Sequence, residues 1–204
     1  MAHIASLDEL RELYRAPSTL VRSKVRSSLD PMSEAFITGS PFLLLATTGP
    51  DGRVDVSPRG GPAGFVRVLD SGRLAIPDLN GNNLLDSLEN IVLTGRAATL
   101  FVRPGHDETL RVNGTATVVT DDDVLDGFAG ELRRPKSAVI IEPDEVFIHC
   151  AKAFRRGGVW QPDQWQPDGP DAVSILTCQL SLDIDESDLR DQFEAGYASD
   201  LAAD

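Results

Sequence analysis

The feature that most restricts this chain is how little sequence separates its apolar runs. Between residues 42 and 120 they are joined by "GPDG" (49–52), by "SG" (71–72) and by turn-forming residues around "PGHDE" (104–108). Strands joined so tightly pair antiparallel, because a parallel neighbour needs a crossover of roughly a dozen residues or more. "FLLLATT" (42–48) and "RVDVSP" (53–58) read as one hairpin, and "GFVRVLD" (64–70) and "RLAIPD" (73–78) as a second. "AATLFVRPG" (97–105) and "TLRVNGTATVVT" (109–120) make a third. "AVIIEPDEVFIHC" (138–150) adds two shorter strands broken at Pro143, which cannot donate to a ladder. Seven or eight such strands favour a closed barrel or a sandwich.

Helical signals surround this centre. "SLDE" (6–9) fits a capping box, with Leu7, Leu10 and Leu13 on one face. "DPMSEAFITGS" places Asp30 as the cap, Pro31 at the first helical position and Gly39 as the stop. Leu84, Leu85, Leu88, Ile91 and Val92 recur at helical spacing, which predicts a helix from near Asn82 to Gly95. Another helix is expected over 121–132. The fold class is mainly β with peripheral helices (α+β). Its parts are an N-terminal helical segment (1–35), a central β domain (36–160) and a C-terminal extension with an acidic helix (161–204).

A net charge of −13 argues against binding nucleic acid or an anionic membrane surface. Eight acids against one Arg190 crowd the tail from Asp183 to Asp204. Cys150 and Cys178 have no CxxC spacing, so neither a zinc site nor a disulfide scaffold is expected. No signal peptide or membrane span is legible, and the expected location is the cytoplasm.

Against this acidity, "HCAKAFRRGGVW" (149–160) gathers Lys152, Arg155 and Arg156 with no acid among them. Their spacing puts them on one helical turn. "IPDLNGNNLLDSL" (76–88) runs from a strand through a polar turn into a helix. There, Asn80 or Asn82 either caps the helix or joins its free N–H groups in an anion cradle. "DVSPRGGPAGF" (55–65) brings Ser57 and Arg59 into a glycine-containing loop, either as a plain strand connection or as donors to a phosphate. Arg111 alternates with Leu110 and Val112, facing either water or a ligand groove. His149 lacks the partners a metal site needs, so no metal is expected. No nucleophile with a base is legible, a pattern that suits a cofactor carrying the chemistry.

Three of these stretches resemble the pyridoxamine 5'-phosphate oxidase-like family of FMN-binding split β-barrel proteins. "RLAIPDLNGNNLLDSLENI" is similar to that family's strand, phosphate turn and helix. "AATLFVRPGHDETLRVNGTATVV" is similar to the hairpin that follows, and "PDEVFIHCAKAFRRGGVW" to its closing segment. The likeness spans about residues 36 to 160 and is nearest to FMN-dependent members in which "SPRG", "GNN" and "HCAKA" recur.

The resemblance implies an antiparallel Greek-key split barrel, FMN as cofactor, and a homodimer with the flavin at the subunit interface. Ile76 and Pro77 would present backbone to the flavin ring. Asn82 and Asn83 would hold the phosphate, assisted by Ser57 and Arg59, and Arg111 would lie near the ring. Lys152 would contact the cofactor, while Arg155, Arg156 and His149 are the substrate-side candidates. Asn82 and Asn83 stand where the family carries an Arg-Lys pair, and Arg59 is placed to restore one lost charge. The implied activity is an FMN-dependent oxidoreductase acting on a small, anionic molecule. Two other readings stay open: a non-catalytic flavin- or haem-binding module, in which His149 would be an axial ligand, and an F420-dependent reductase.

Overall fold

The computed structural model describes residues 3–70, 72–130, 132–166, 168–182 and 184–203. Ser71 of the expected "SG" turn lies outside the described residues, as do Asp183 and Asp204 of the acidic tail. Three helices open the chain: α1 (Leu7–Leu13), α2 (Thr19–Ser23) and α3 (Pro31–Thr38). Ser6 caps α1 by accepting from the Glu9 N–H, while the Glu9 side chain reaches one residue past the cap to accept from the Ala5 N–H. Only the first half of the expected capping box therefore forms. Asp30 Oδ1 accepts from the N–H groups of Met32 and Ser33 at the start of α3. The first two helices bury no residue.

Seven strands follow: β1 (Phe42–Thr48), β2 (Val54–Gly60), β3 (Arg67–Asp70), β4 (Arg73–Pro77), β5 (Arg96–Val102), β6 (Thr109–Val119) and β7 (Ala138–His149). Helix α4 (Asp86–Thr94) separates β4 from β5, and α5 (Asp122–Asp126) lies between β6 and β7. After β7 come α6 (Lys152–Gly157), α7 (Ala172–Leu180) and α8 (Glu186–Ala203). Among the described residues no helix is long and apolar enough to cross a membrane.

The strands form one sheet in the order β2-β1-β5-β6-β7-β4-β3, and every pair is antiparallel. That sheet is rolled. Arg59 of β2 and Asp78, one residue past β4, lie five strand spacings apart in this order, about 24 Å on a flat sheet at ~4.8 Å per strand. Their side chains nevertheless meet at 3.6 Å. The interior holds Leu43, Leu45, Leu74, Ile76, Phe101, Val112 and Ile141, with Ile37 of α3 and Ile91 of α4 closing the ends.

Three further expectations need correction. The helix expected over 121–132 ends as α5 at Asp126, with Glu131 outside the described residues. The segment 138–150 is one continuous strand, not two broken at Pro143. Pro143 pairs with Gly114 where the β6–β7 register shifts. A Cβ on Gly114 would stand 2.0 Å from the Glu142 carbonyl oxygen, so the glycine lets the backbones approach and the strand continue. The helix expected from Asn82 begins only at Asp86. The residues before it form a loop that shapes the site.

Candidate functional site

Along β2, Asp55, Ser57 and Arg59 alternate with exposed Val54, Val56 and Pro58. The three polar residues pair with Thr47, Leu45 and Leu43 of β1, whose side chains are buried. Period-two alternation therefore turns Asp55, Ser57 and Arg59 toward the barrel side of the sheet.

The loop Asp78–Leu85 faces them. Asn82 Oδ1 accepts from the Leu84 N–H at 3.0 Å, an Asx turn. Asn83 and Leu85 adopt left-handed backbone, with φ of 56° and 62°. Such a conformation costs a leucine about 1–2 kcal/mol. It also carries the chain into α4 with no side chain capping the helix. The N–H groups of its first turn, at the positive end of the helix dipole, thus border the space between loop and strand. That space is a cavity of ≈ 220 Å³ lined by Ser57, Arg59, Asp78, Asn82, Asn83 and Ser87, among others. Helix α4 is pinned beside it by Asn90 Nδ2 donating to Thr47 Oγ1 at 3.0 Å.

The polar groups of the cavity are already linked. Ser87 Oγ donates to Asp55 Oδ2 at 2.6 Å, which commits its only proton. Ser57 Oγ, 2.9 Å from Ser87 Oγ, is therefore the donor in that pair. Ser57 can accept from a ligand but has no proton left to give one. Asp55, Asp78 and Asp86 all line the cavity, and Arg59 is the one cation among its lining residues. Burial pushes the Asp78 carboxyl above its ordinary pKa, against the pull of Arg59 and Lys136.

The register places Arg111 elsewhere. It pairs with Leu100 of β5, which lies in line with Leu44 of β1 and Pro58 of β2. Arg111 thus occupies the outer face of the sheet, opposite to Arg59. There its guanidinium stacks 4.0 Å from the Phe147 ring centroid and donates to Glu145 Oε1 at 2.5 Å. Lys24 lies 5.0 Å from the same ring, and His149 packs against it at 4.8 Å. Burial, then the charges of Arg111 and Lys24, hold the His149 pKa below its usual value. Arg111 Nε and Asn113 Oδ1 are buried with no hydrogen-bond partner among the described residues.

Lys152, Arg155 and Arg156 fall on α6 as the spacing predicts, but they do not converge on the cavity. Arg155 Nε donates to Asp107 Oδ2 at 2.7 Å, and Arg156 Nε to the Lys152 carbonyl at 3.1 Å. The apparent excess of cations is partly neutralised by an acid from the β5–β6 turn. Ile76 and Pro77 end β4 beyond its last pairing with β3, at Ala75, so their edge on that side has no strand partner. In sum, Ser57, Arg59, Asn82 and Asn83 share one cavity, Ile76 and Pro77 lead into it, and Arg111, His149, Lys152, Arg155 and Arg156 stand outside.

Compared with family models, residues 29–150 match that of pyridoxamine 5'-phosphate oxidase. The chain belongs to this family. Solved structures similar to this chain include HupZ of Group A Streptococcus. HupZ is 18% identical with a TM-score of 0.49, the match covering 59% of this chain and 93% of that one. A candidate pyridoxamine 5'-phosphate oxidase of Lactobacillus delbrueckii is 26% identical at a TM-score of 0.47, covering 60% and 95%. An FMN-binding protein of Syntrophomonas wolfei is 10% identical at 0.43, covering 57% and 83%. At these scores the likenesses carry no site chemistry across. No curated protein matches the chain.

The family match includes both cavity walls and also a segment that the motif reading passed over. "RRPK" (133–136) holds three cations in four positions. It borders the same loop from behind, in a second pocket with Asn80, Gly81 and Asn83. The compositional signal is the same one that singled out 152–156, but the segment belongs to no strand or helix pattern.

Proposed function

We propose that this member of the family binds FMN and acts as an FMN-dependent oxidoreductase on a small anionic molecule, as a homodimer. The observation that carries the reading is the cavity itself. Arg59 on β2 and the Asn82–Asn83 turn before α4, distant in sequence, border one polar space beside an uncapped helix start. This donor set fits a phosphate monoester: a guanidinium fork, first-turn N–H groups and side-chain amides. Arg59 is the main anchor, since Ser57 has committed its proton and three carboxylates share the cavity. The open β4 edge at Ile76–Pro77 leads from this anchor along the sheet, where a flavin ring could lie against backbone.

Bound FMN would supply hydride or electron exchange, which no side-chain set in the cavity offers. The chain's own residues position and screen: Arg59 holds the anionic end, and the left-handed loop keeps the helix start open. The placement of Arg111, Phe147 and His149 on the outer face supports the homodimer. A second copy would be needed to bring such a face to a cofactor held at Arg59.

The test is FMN titration followed by desalting and an absorbance scan. The wild-type chain and Asp188→Ala, altered in the tail, should keep the flavin bands, while Arg59→Ala should lose them. Equal retention by Arg59→Ala and Asp188→Ala ends the phosphate assignment. Turnover of NAD(P)H by the loaded protein separates an oxidoreductase from an inert flavin carrier, and sedimentation reads the dimer.

A further inference from the structure

The pocket behind the 78–85 loop measures ≈ 490 Å³, within the range of small-molecule sites. One wall is the loop that also bounds the Arg59 cavity, and the other is the segment 133–137. The Asp78 N–H donates to the Ser137 carbonyl at 2.9 Å and ties the two walls at their base. Of its three cations, Arg134 is engaged away from the pocket by Asp126 and Asp122 of α5. Arg133 and Lys136 have no hydrogen bond or ion pair among the described residues. Among the described residues Asp78 is the only acid that lines the pocket, where Lys136 attracts it and Arg59 holds it from the other side. Ala203 at the end of α8 also lines the pocket. Leu79, Leu85, Leu88 and Pro135 supply an apolar floor.

We propose that this pocket is a subsite for the anionic group of a small organic substrate, with Arg133 and Lys136 as its cations. The two charges fix the phosphoryl or carboxylate end, and the leucine floor accepts a carbon skeleton, which a bare inorganic ion would leave unused. Only the loop separates this pocket from the cavity at Arg59, and Asp78, Gly81, Asn83 and Leu85 line both. Arg155 is a weaker candidate for the same task, being paired with Asp107 outside both cavities. The substrate role rests on the flavin reading; the anion site does not.

Calorimetric titration of the full chain with phenyl phosphate, with phenol as the uncharged control, tests it. The chain is loaded with FMN or, where none is retained, carries Arg59→Ala throughout, so that the other phosphate anchor is removed. Phenyl phosphate should bind the wild type and Arg155→Ala alike, phenol should not, and affinity should fall as salt is raised. Arg133→Ala/Lys136→Ala should bind it at least tenfold more weakly while keeping the wild-type circular dichroism and FMN retention. Undiminished binding by the double variant, or none by the wild type, overturns the proposal. Loss of FMN retention in the double variant also overturns it, by assigning these cations to the cofactor. If the wild type fails to retain FMN but phenyl phosphate binding still depends on Arg133 and Lys136, the flavin reading falls and the anion site stands.

Discussion

Removing Asp78 should tighten the binding of FMN, and the effect should depend on Arg59. The two side chains are only 25% and 20% exposed and lie 3.6 Å apart. At an effective dielectric near 20, that separation corresponds to a gross attraction of about 4–5 kcal/mol. Little of it appears as net affinity, because a phosphate entering the cavity exchanges one anionic partner of Arg59 for another. What remains is the repulsion between Asp78 and the phosphate and the freedom Arg59 gains. A net gain of about 1 kcal/mol, roughly fivefold in Kd, is the expected result for Asp78→Asn. Arg59→Ala should weaken binding by the loss of at least one charge-assisted bond, about 1.5–3 kcal/mol or roughly ten- to 150-fold. In the Arg59→Ala background, Asp78→Asn should change affinity by less than about 0.5 kcal/mol. Quenching of FMN fluorescence across the four variants gives all three numbers. The ratio of Asp78→Asn to wild-type affinity should also shrink as pH falls, since burial raises the Asp78 pKa and a protonated carboxyl no longer competes. A raised carboxyl pKa contributes stability that is fully present below the unfolded value near 3.8 and is lost as pH rises through the folded value. Asp78→Asn should therefore also be the more stable protein at neutral pH. If Asp78→Asn binds FMN more weakly than wild type, Asp78 orients Arg59 rather than competing for it, and this reasoning fails.

Two further outcomes follow from the backbone and from the outer face. At Leu85, with φ of 62°, Leu85→Gly should be more stable than Leu85→Ala by about 1 kcal/mol in denaturant unfolding. Both variants lose the side chain, and only glycine removes the left-handed strain. His149 has a folded pKa below its unfolded 6.5, so stability present above that pH should decline as pH falls through 6.5 toward the folded value. His149→Asn should flatten this part of the pH–stability curve, and an unchanged slope would assign the loss to other groups.

The hairpins were legible because turn residues and period two are local properties: each strand before residue 120 lies within a few residues of its expected bounds. The continuity of β7 was not, because Pro143 is tolerated through Gly114 on the neighbouring strand, a compensation 29 positions away in sequence. The start of α4 was misplaced for a related reason. Leu84 and Leu85 carry the helical apolar spacing, yet the loop holds Leu85 left-handed and exposes both. For the site, residue type left Ser57, Arg59 and Asn82 open between plain structural roles and phosphate donors, and the resemblance grouped them with Asn83; the four line one cavity. Asp55 and Asp78 were missed, since nothing local says that a carboxylate on β2 takes the Ser87 proton or that Asp78 meets a strand at the opposite edge. Arg111 was read correctly as alternating with Leu110 and Val112. Only strand order could tell that its face lies opposite to Arg59.

The meeting of β2 with the end of β4 through the Arg59–Asp78 pair has a dynamic consequence. No backbone ladder joins these two edges among the described residues, so this line is where the barrel can part without disturbing its apolar interior. Amide protons along the free edge of β2 should exchange with deuterium well before those of β6, which is flanked on both sides. A molecule spanning Arg59 and the start of α4 would fasten the two margins together. Loading would then be readable as slowed exchange along one strand, even for a ligand that absorbs no visible light.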